Sequence, residues 1–176
     1  MNDPGARILA VLETAVLDVR AHAPASTAVE AAALRGTPLS DGCKAIVMKL
    51  GKQFAVLAFS ADRSIDNRKL RHRLRVRRYR FATEDELAAL TGGLVPGSVP
   101  PFGRPIFDLP LYVDAARTVA ESMWFTNASR SQSVRVAVAG WLEVAQPVDV
   151  FDFTRPPATA GSVHGTPTGL GGNQGE

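Results

Sequence analysis

A single cysteine, Cys43, stands in the 176-residue chain, so no internal disulfide can form and cysteine usage points to a reducing compartment. Histidine is nearly as scarce: His22, His72 and His164 lie far apart in sequence, and no pair of Cys or His residues falls at metal-ligand spacing. Also missing are the G-x-S-x-G elbow, the G-x-x-x-x-G-K-[ST] phosphate loop and the G-x-G-x-x-G dinucleotide turn. With no local Ser-His pairing either, nucleophile-plus-base catalysis and zinc chemistry lack support, and no metal or cofactor is expected. The start, "MNDPGARILAVLETAVLDVR", has no basic region ahead of an apolar core, and Glu13 and Asp18 interrupt its hydrophobic positions, so a signal peptide is not expected. The uncharged run 87–103 is broken by glycine and proline, which excludes a spanning helix there. A cytoplasmic protein without a membrane partner is the resulting expectation.

Hydrophobic residues make up 45% of the chain and charged residues 21%, enough for one well-cored domain. Net charge is only +3, yet residues 63–80, "RSIDNRKLRHRLRVRRYR", hold nine of the twenty Lys and Arg. That asymmetry is either a solvated helix face or a surface for an anionic partner, and Arg75, Arg77, Arg78 and Arg80 continue past the expected helix end.

Asp3-Pro4 can cap a first helix ending near residues 14–17, with "LDVRAH" free to become a short strand. Thr27 and Glu30 form a capping-box pattern ahead of an Ala-rich helix that Gly36 stops. "KAIVMKL" and "FAVLAF" read as a buried hairpin turning at Gly51-Lys52-Gln53. Asp66 opens a helix to about Leu74, "VRRYRF" is a short strand, and Thr83 with Glu86 caps another helix. "LPLYVDA", "ESMWFTN" and "QSVRVAV" read as strands and "AGWLEVA" as a last helical turn or two. The domain is expected over residues 1–154. From Thr154 the composition turns to Gly, Pro and Thr, and 155–176 is expected to be a disordered tail.

The stretch "GSVPPFG", residues 97–103, puts two glycines around two prolines, a stiff and open loop that is either a turn or a pocket wall. Lys44 alone reads as a strand-end charge, with Lys49 deeper in the same apolar strand. Cys43 reads as a small buried residue, and Asp62 and Asp66 as helix caps. Asn127, Ser129, Arg130, Ser131 and Ser133 read as a polar loop leading into a strand.

Taken in order, "STAVEAAALRG", "CKAIVMKL", "RFATEDELAALTG" running into a G-x-x-x-P loop at Gly97 and Pro101, "LYVDAA" and "NASRS" resemble the YbaK/prolyl-tRNA-synthetase-associated family of aminoacyl-tRNA editing domains, over about residues 18–153. The resemblance implies an α/β (mixed α+β) fold with a mixed, partly barrel-like sheet and flanking helices. It also implies hydrolysis of the ester joining a wrong, small amino acid to tRNA, carried out in trans by positioning substrate and water. A non-catalytic regulator binding tRNA or an aminoacyl nucleotide keeps the same pocket and is the other reading. On the family pattern Lys44, Gly97 and Pro101 are the catalytic candidates. Ser98, Val99, Pro100, Phe102, Gly103, Asn127, Ser129, Ser131 and Ser133 are the pocket candidates, although one branch of the family carries an acid near the Ser133 position. Arg71, Arg75, Arg77, Arg78 and Arg130 are candidates to meet a mischarged tRNA; no DNA partner is expected.

Overall fold

The hairpin at Gly51 organises the sheet around it: β2 (Cys43–Leu50) pairs antiparallel with β3 (Gln53–Ser60) in unbroken register from Cys43 opposite Ser60 to Leu50 opposite Gln53. The computed structural model describes residues 3–158. On one side of the hairpin β5 (Tyr79–Phe81) pairs with the far end of β2. On the other, β6 (Leu111–Asp114) runs parallel to β3, and β9 (Asp149–Phe151) parallel to β6, giving the five-stranded order β5-β2-β3-β6-β9. Both faces of this sheet are covered. Val47, Val56, Ala58, Leu111 and Val113 enter one core, while Met48, Leu50, Ala55, Leu57 and Phe59 enter a second. Burial on two faces is why "FAVLAF" is continuously apolar rather than alternating.

A second, antiparallel sheet orders β1 (Val16–Ala21), β8 (Gln132–Ala137) and β7 (Ser122–Thr126) as β1-β8-β7. Its inner face supplies Met123, Phe125, Val134 and Val136 to the first core, which α1 (Pro4–Leu12) and α5 (Val138–Ala145) close with Ile8, Leu12 and the fully buried Trp141. The two sheets meet where Gly42 bridges Trp124 in parallel. Local chemistry sets the helix ends: Asp3 accepts from the Gly5 amide at the start of α1, and Thr27 forms a capping box with Glu30 at the start of α2 (Ala28–Arg35). Thr83 does the same with Glu86 at α4 (Glu84–Thr91), and Asp66 accepts from the Arg68 and Lys69 amides at α3 (Asn67–Leu74). The whole is a mixed α/β fold of mixed sheets with flanking helices. Among the described residues no helix is long and apolar enough to cross a membrane.

The expected tail, 155–176, starts too early, because Arg155 still belongs to a strand. Thr154 and Arg155 form β10, which pairs with β4 (Ser64–Ile65), and Thr154 is fully buried. The cause is a distant partner: the buried carboxylate of Asp114 accepts from the Phe153 amide at 2.9 Å and from the Thr154 hydroxyl at 3.0 Å. Phe153 then fills the second core edge-on against Phe59, with ring centroids 5.9 Å apart. Residues 159–176, most of the expected tail, lie outside the described residues. Phe153→Ala should therefore cost about 3–5 kcal/mol, read as a lower urea midpoint with an unchanged slope; a midpoint within error of wild type would show that this segment is not part of the folded unit.

Candidate active site

A narrow cleft opens where the two sheets meet. Its floor and walls come from four places in the chain: Gly42 to Ala45 at the start of β2, Ala61 just beyond β3, the face of α2 carrying Thr27, Ala28, Ala31 and Arg35, and Trp124 to Thr126 on β7. Gly97 and Val99 close it from the loop after α4. Residues 28, 31 and 35 recur at helical spacing, so α2 presents two alanines and one arginine as a single stripe. The cleft encloses about 60 Å³.

The entry to β2 is held rigidly. Arg117, itself buried, donates through Nη1 to the carbonyls of Ser40 at 2.9 Å and Gly42 at 3.2 Å, and the Gly42 carbonyl also accepts from the Ala61 amide at 2.9 Å. Lys44 follows, with Nζ donating to the Ala61 carbonyl at 3.3 Å and lying 4.8 Å from the Phe59 ring centroid. Burial pushes this ammonium below the ordinary lysine range, and the Asp62 carboxylate partly opposes the shift. Asp62 is not a cap, unlike Asp66: its Oδ1 is buried with no hydrogen-bond partner. Lys49 leaves the strand on the other face, 5.3 Å from the Phe54 ring, and is not a substitute for Lys44 in this cleft.

The loop "GSVPPFG" divides in two. Gly97 has φ +84°, and a Cβ there would stand 2.5 Å from the Ser26 carbonyl oxygen, so the loop lies directly on the chain that leads into α2. Val99 lines the cleft. Ser98 turns inward and closes the bend through hydrogen bonds with Val95. Pro100 and Pro101 are buried, and the Pro101 carbonyl accepts from Trp141 Nε1 at 3.0 Å. Phe102 packs edge-on against Phe125, and a Cβ on Gly103 would collide with the Leu109 carbonyl. Ser98 and Pro100 to Gly103 therefore brace the wall from behind; none of them lines the cleft.

The residues of "NASRS" are also bracing. Asn127 Nδ2 donates to Gln132 Oε1 at 2.6 Å, and the Ser129 hydroxyl accepts from the Ser131 amide. Arg130 donates through Nε to the Pro96 carbonyl at 2.9 Å, clamping the Gly97 bend rather than reaching outward. Ser133 is fully buried behind α2, where its hydroxyl accepts from Arg35 Nη1 at 3.0 Å and meets His22 Nε2 at 2.8 Å. Because His22 Nδ1 faces the Ala23 carbonyl at 2.8 Å, Nδ1 carries the proton and, in the neutral ring, the Ser133 hydroxyl donates to Nε2.

Lys44, Gly97 and Val99 are thus the sequence candidates that the fold brings together. Thr27, Arg35 and Trp124 were not among them, since they reach the cleft through packing of α2 and β7 on β2. The one local signal for Arg35 is a charge on the otherwise small-residue stripe of its helix.

No nucleophile is poised here. Thr27 Oγ accepts from the Glu30 amide as a cap, and burial pushes the Cys43 thiol up to about 12. Among the described residues no cluster of His, Cys, Asp or Glu could hold a metal ion. Cys43 in the native protein should react with iodoacetamide at pH 8 at least ~100-fold more slowly than in the denatured chain; equal rates would mean an accessible, unperturbed thiol, and faster reaction an activated one.

Comparison with known proteins agrees with this architecture. The chain is similar to a candidate trans-editing enzyme for prolyl-tRNA synthetase of known structure, with 25% identity and TM-score 0.70 over 88% of this chain and 99% of that one. It is also similar to the hypothetical protein APE2540, with 19% identity and TM-score 0.73 over 86% and 99% of the two chains. The proline–tRNA ligase of Shouchella clausii (strain KSM-K16) is 31% identical over 99 residues, which span 56% of this chain and 17% of the ligase. The model of the aminoacyl-tRNA editing domain matches residues 22–144, and the chain belongs to that family.

Proposed function

We propose that the protein is a deacylase that hydrolyses the ester between a small noncognate amino acid and tRNA, acting in trans. The observation that carries this reading is the cleft itself: about 60 Å³, far below the ~300–1,000 Å³ of ordinary small-molecule pockets, walled by Gly42, Ala28, Ala31, Ala45, Ala61 and Gly97, with Lys44 among its lining residues and its Nζ bonded to the Ala61 carbonyl. Walls of glycine and alanine backed by a fixed bend favour a small side chain over a large one. Discrimination by attraction between side chains differing by a methylene reaches only about 1–3 kcal/mol, so a second site that excludes by size is the effective device. The fixed Gly97 bend, held by Arg130 and seated on Ser26, supplies the stiffness that exclusion needs. Likeness along 99% of a candidate trans-editing enzyme supports action on tRNA delivered from outside the chain.

The chemistry asks for position more than reactivity, since an aminoacyl ester is already activated. Water attacks the carbonyl carbon, the bond to the ribose oxygen breaks, and that oxygen takes a proton, releasing the amino acid and the tRNA hydroxyl. Lys44, part-buried, faces the negative charge that develops on the carbonyl oxygen, where low polarity strengthens the interaction. tRNA also needs a route to the cleft. Lys49, Arg71, Arg78, Tyr79 and Arg80 border a hollow of about 440 Å³ at the opposite end of β2, about 17 Å from Lys44 at ~3.4 Å per residue. Arg80 is paired with Glu86 and Arg73 with Asp149, whereas Arg71, Arg75, Arg77 and Arg78 make no salt bridge among the described residues and are exposed. These four are the cations offered to phosphates.

A screen of mischarged tRNAs should show faster-than-spontaneous release of at least one small amino acid, and Lys44→Ala should slow it tenfold or more while folding normally, the loss of about 1.5–3 kcal/mol. Spontaneous rates across the panel together with tRNA binding would mean a binding regulator instead. Charge reversal at Arg77 and Arg78 should weaken tRNA binding and flatten the plot of log affinity against log salt by about 1.4–1.8, from ~0.7–0.9 per phosphate. An unaltered slope would place the tRNA on another face.

A further inference from the structure

Arg35 is a guanidinium taken out of water without a counter-ion. It is 8% exposed, and among the described residues it forms no salt bridge. Its surroundings make up only part of the loss: Nη1 donates to the Ser133 hydroxyl at 3.0 Å, Nε lies 3.4 Å from the Thr37 hydroxyl, and the group sits 5.5 Å from the Trp124 ring centroid. A second cation, Arg20, lies over the same ring at 4.7 Å and donates to the Arg35 carbonyl at 3.1 Å. Arg20 has Asp18 as its partner at 2.8 Å; Arg35 has none among the described residues. Burial and the neighbouring Arg20 charge both push the Arg35 pKa down, with Asp41 opposing them weakly.

The free edge of this guanidinium points at the cleft. Nη2 donates to no protein acceptor among the described residues, it lies on the Gly42 side of the group, 3.7 Å from where a Gly42 Cβ would stand, and Arg35 lines the cleft that Lys44 also lines. An unmet pair of N–H groups on a buried, permanent cation is a site for an anion. The aminoacyl end of a tRNA carries no free carboxylate, and its amino group is cationic. Its nearest anion is the phosphodiester on the 5′ side of the terminal nucleotide.

We propose that Arg35 receives that phosphodiester, seating the terminal nucleotide so that the ester falls beside Lys44 and the side chain against Gly97 and Val99. The assignment rests on the deacylase reading for its substrate, and on the Arg35 geometry for its anion. It divides the work of the two cations: Arg35 binds a charge present throughout the reaction, and Lys44 meets one that develops.

The test compares a 3′-O-aminoacyl adenosine with the same compound bearing a 5′-phosphate, together with calorimetric binding of adenosine, adenosine 5′-monophosphate and inorganic phosphate. In wild type the 5′-phosphate should raise kcat/KM tenfold or more, chiefly through KM, and adenosine 5′-monophosphate should bind at least tenfold more tightly than adenosine or inorganic phosphate. Arg35→Gln should shrink the phosphate increment to less than threefold, and Arg35→Lys should recover part of it. If the 5′-phosphate increment is absent from both turnover and binding in wild type, the proposal is wrong whether or not any variant folds. An increment preserved in folded Arg35→Gln also overturns it. Inorganic phosphate binding as tightly as the nucleotide would reassign the site to a free anion and overturn the RNA assignment. If no ester is cleaved yet the nucleotide binds through Arg35, the anion site stands and the deacylase reading falls.

Discussion

The contact between Gly42 and Trp124 joins the entry to β2 of the five-stranded sheet to β7 at the edge of the three-stranded one, and the cleft lies beside that contact. Gly42 can make the approach because it has no side chain: a Cβ there would stand 3.1 Å from Ala61 Cβ and 3.2 Å from the Leu39 carbonyl. Its own carbonyl is held twice, by the Ala61 amide and by Arg117. The position of Lys44, two residues on, is set by these bonds. So is the distance across which α2 and the Gly97 bend face β2.

Among the described residues three buried side-chain atoms lack a hydrogen-bond partner: Asp62 Oδ1 and Arg117 Nε near this seam, and Asn127 Oδ1 beside α1. Arg35 Nη2 is open to the cleft. Other buried polar atoms find partners across long stretches of chain, as Asp114 does with Phe153 and Thr154.

Much of this architecture is legible in sequence because its causes are local. Capping boxes at Thr27 and Thr83 need only residues three apart, and the β2–β3 hairpin needs only two apolar runs and a turn. Lys44 and Gly97 were legible through family pattern. Ser133 was not: its partner Arg35 is 98 residues away, and nothing in "NASRSQS" distinguishes a hydroxyl that faces substrate from one that anchors a helix. The short strand Thr154–Arg155 escaped for the same reason. The burial of Thr154 depends on a carboxylate 40 residues upstream, which composition cannot register. The loop at residues 97–103 was readable as stiff, but which of its residues face outward depends on Ser26, Phe125 and Trp141.

The central claim is that the cleft at this seam holds the aminoacyl end of the RNA. It is tested most directly by a crystal structure with an adenosine carrying alanine through a 3′-amide in place of the ester, so that no hydrolysis can occur. The account predicts density with the alanyl methyl group against Gly97 and Val99 and the carbonyl oxygen within hydrogen-bond reach of Lys44 Nζ. Density in the Arg71 and Arg78 hollow, with the cleft left to water, would contradict it.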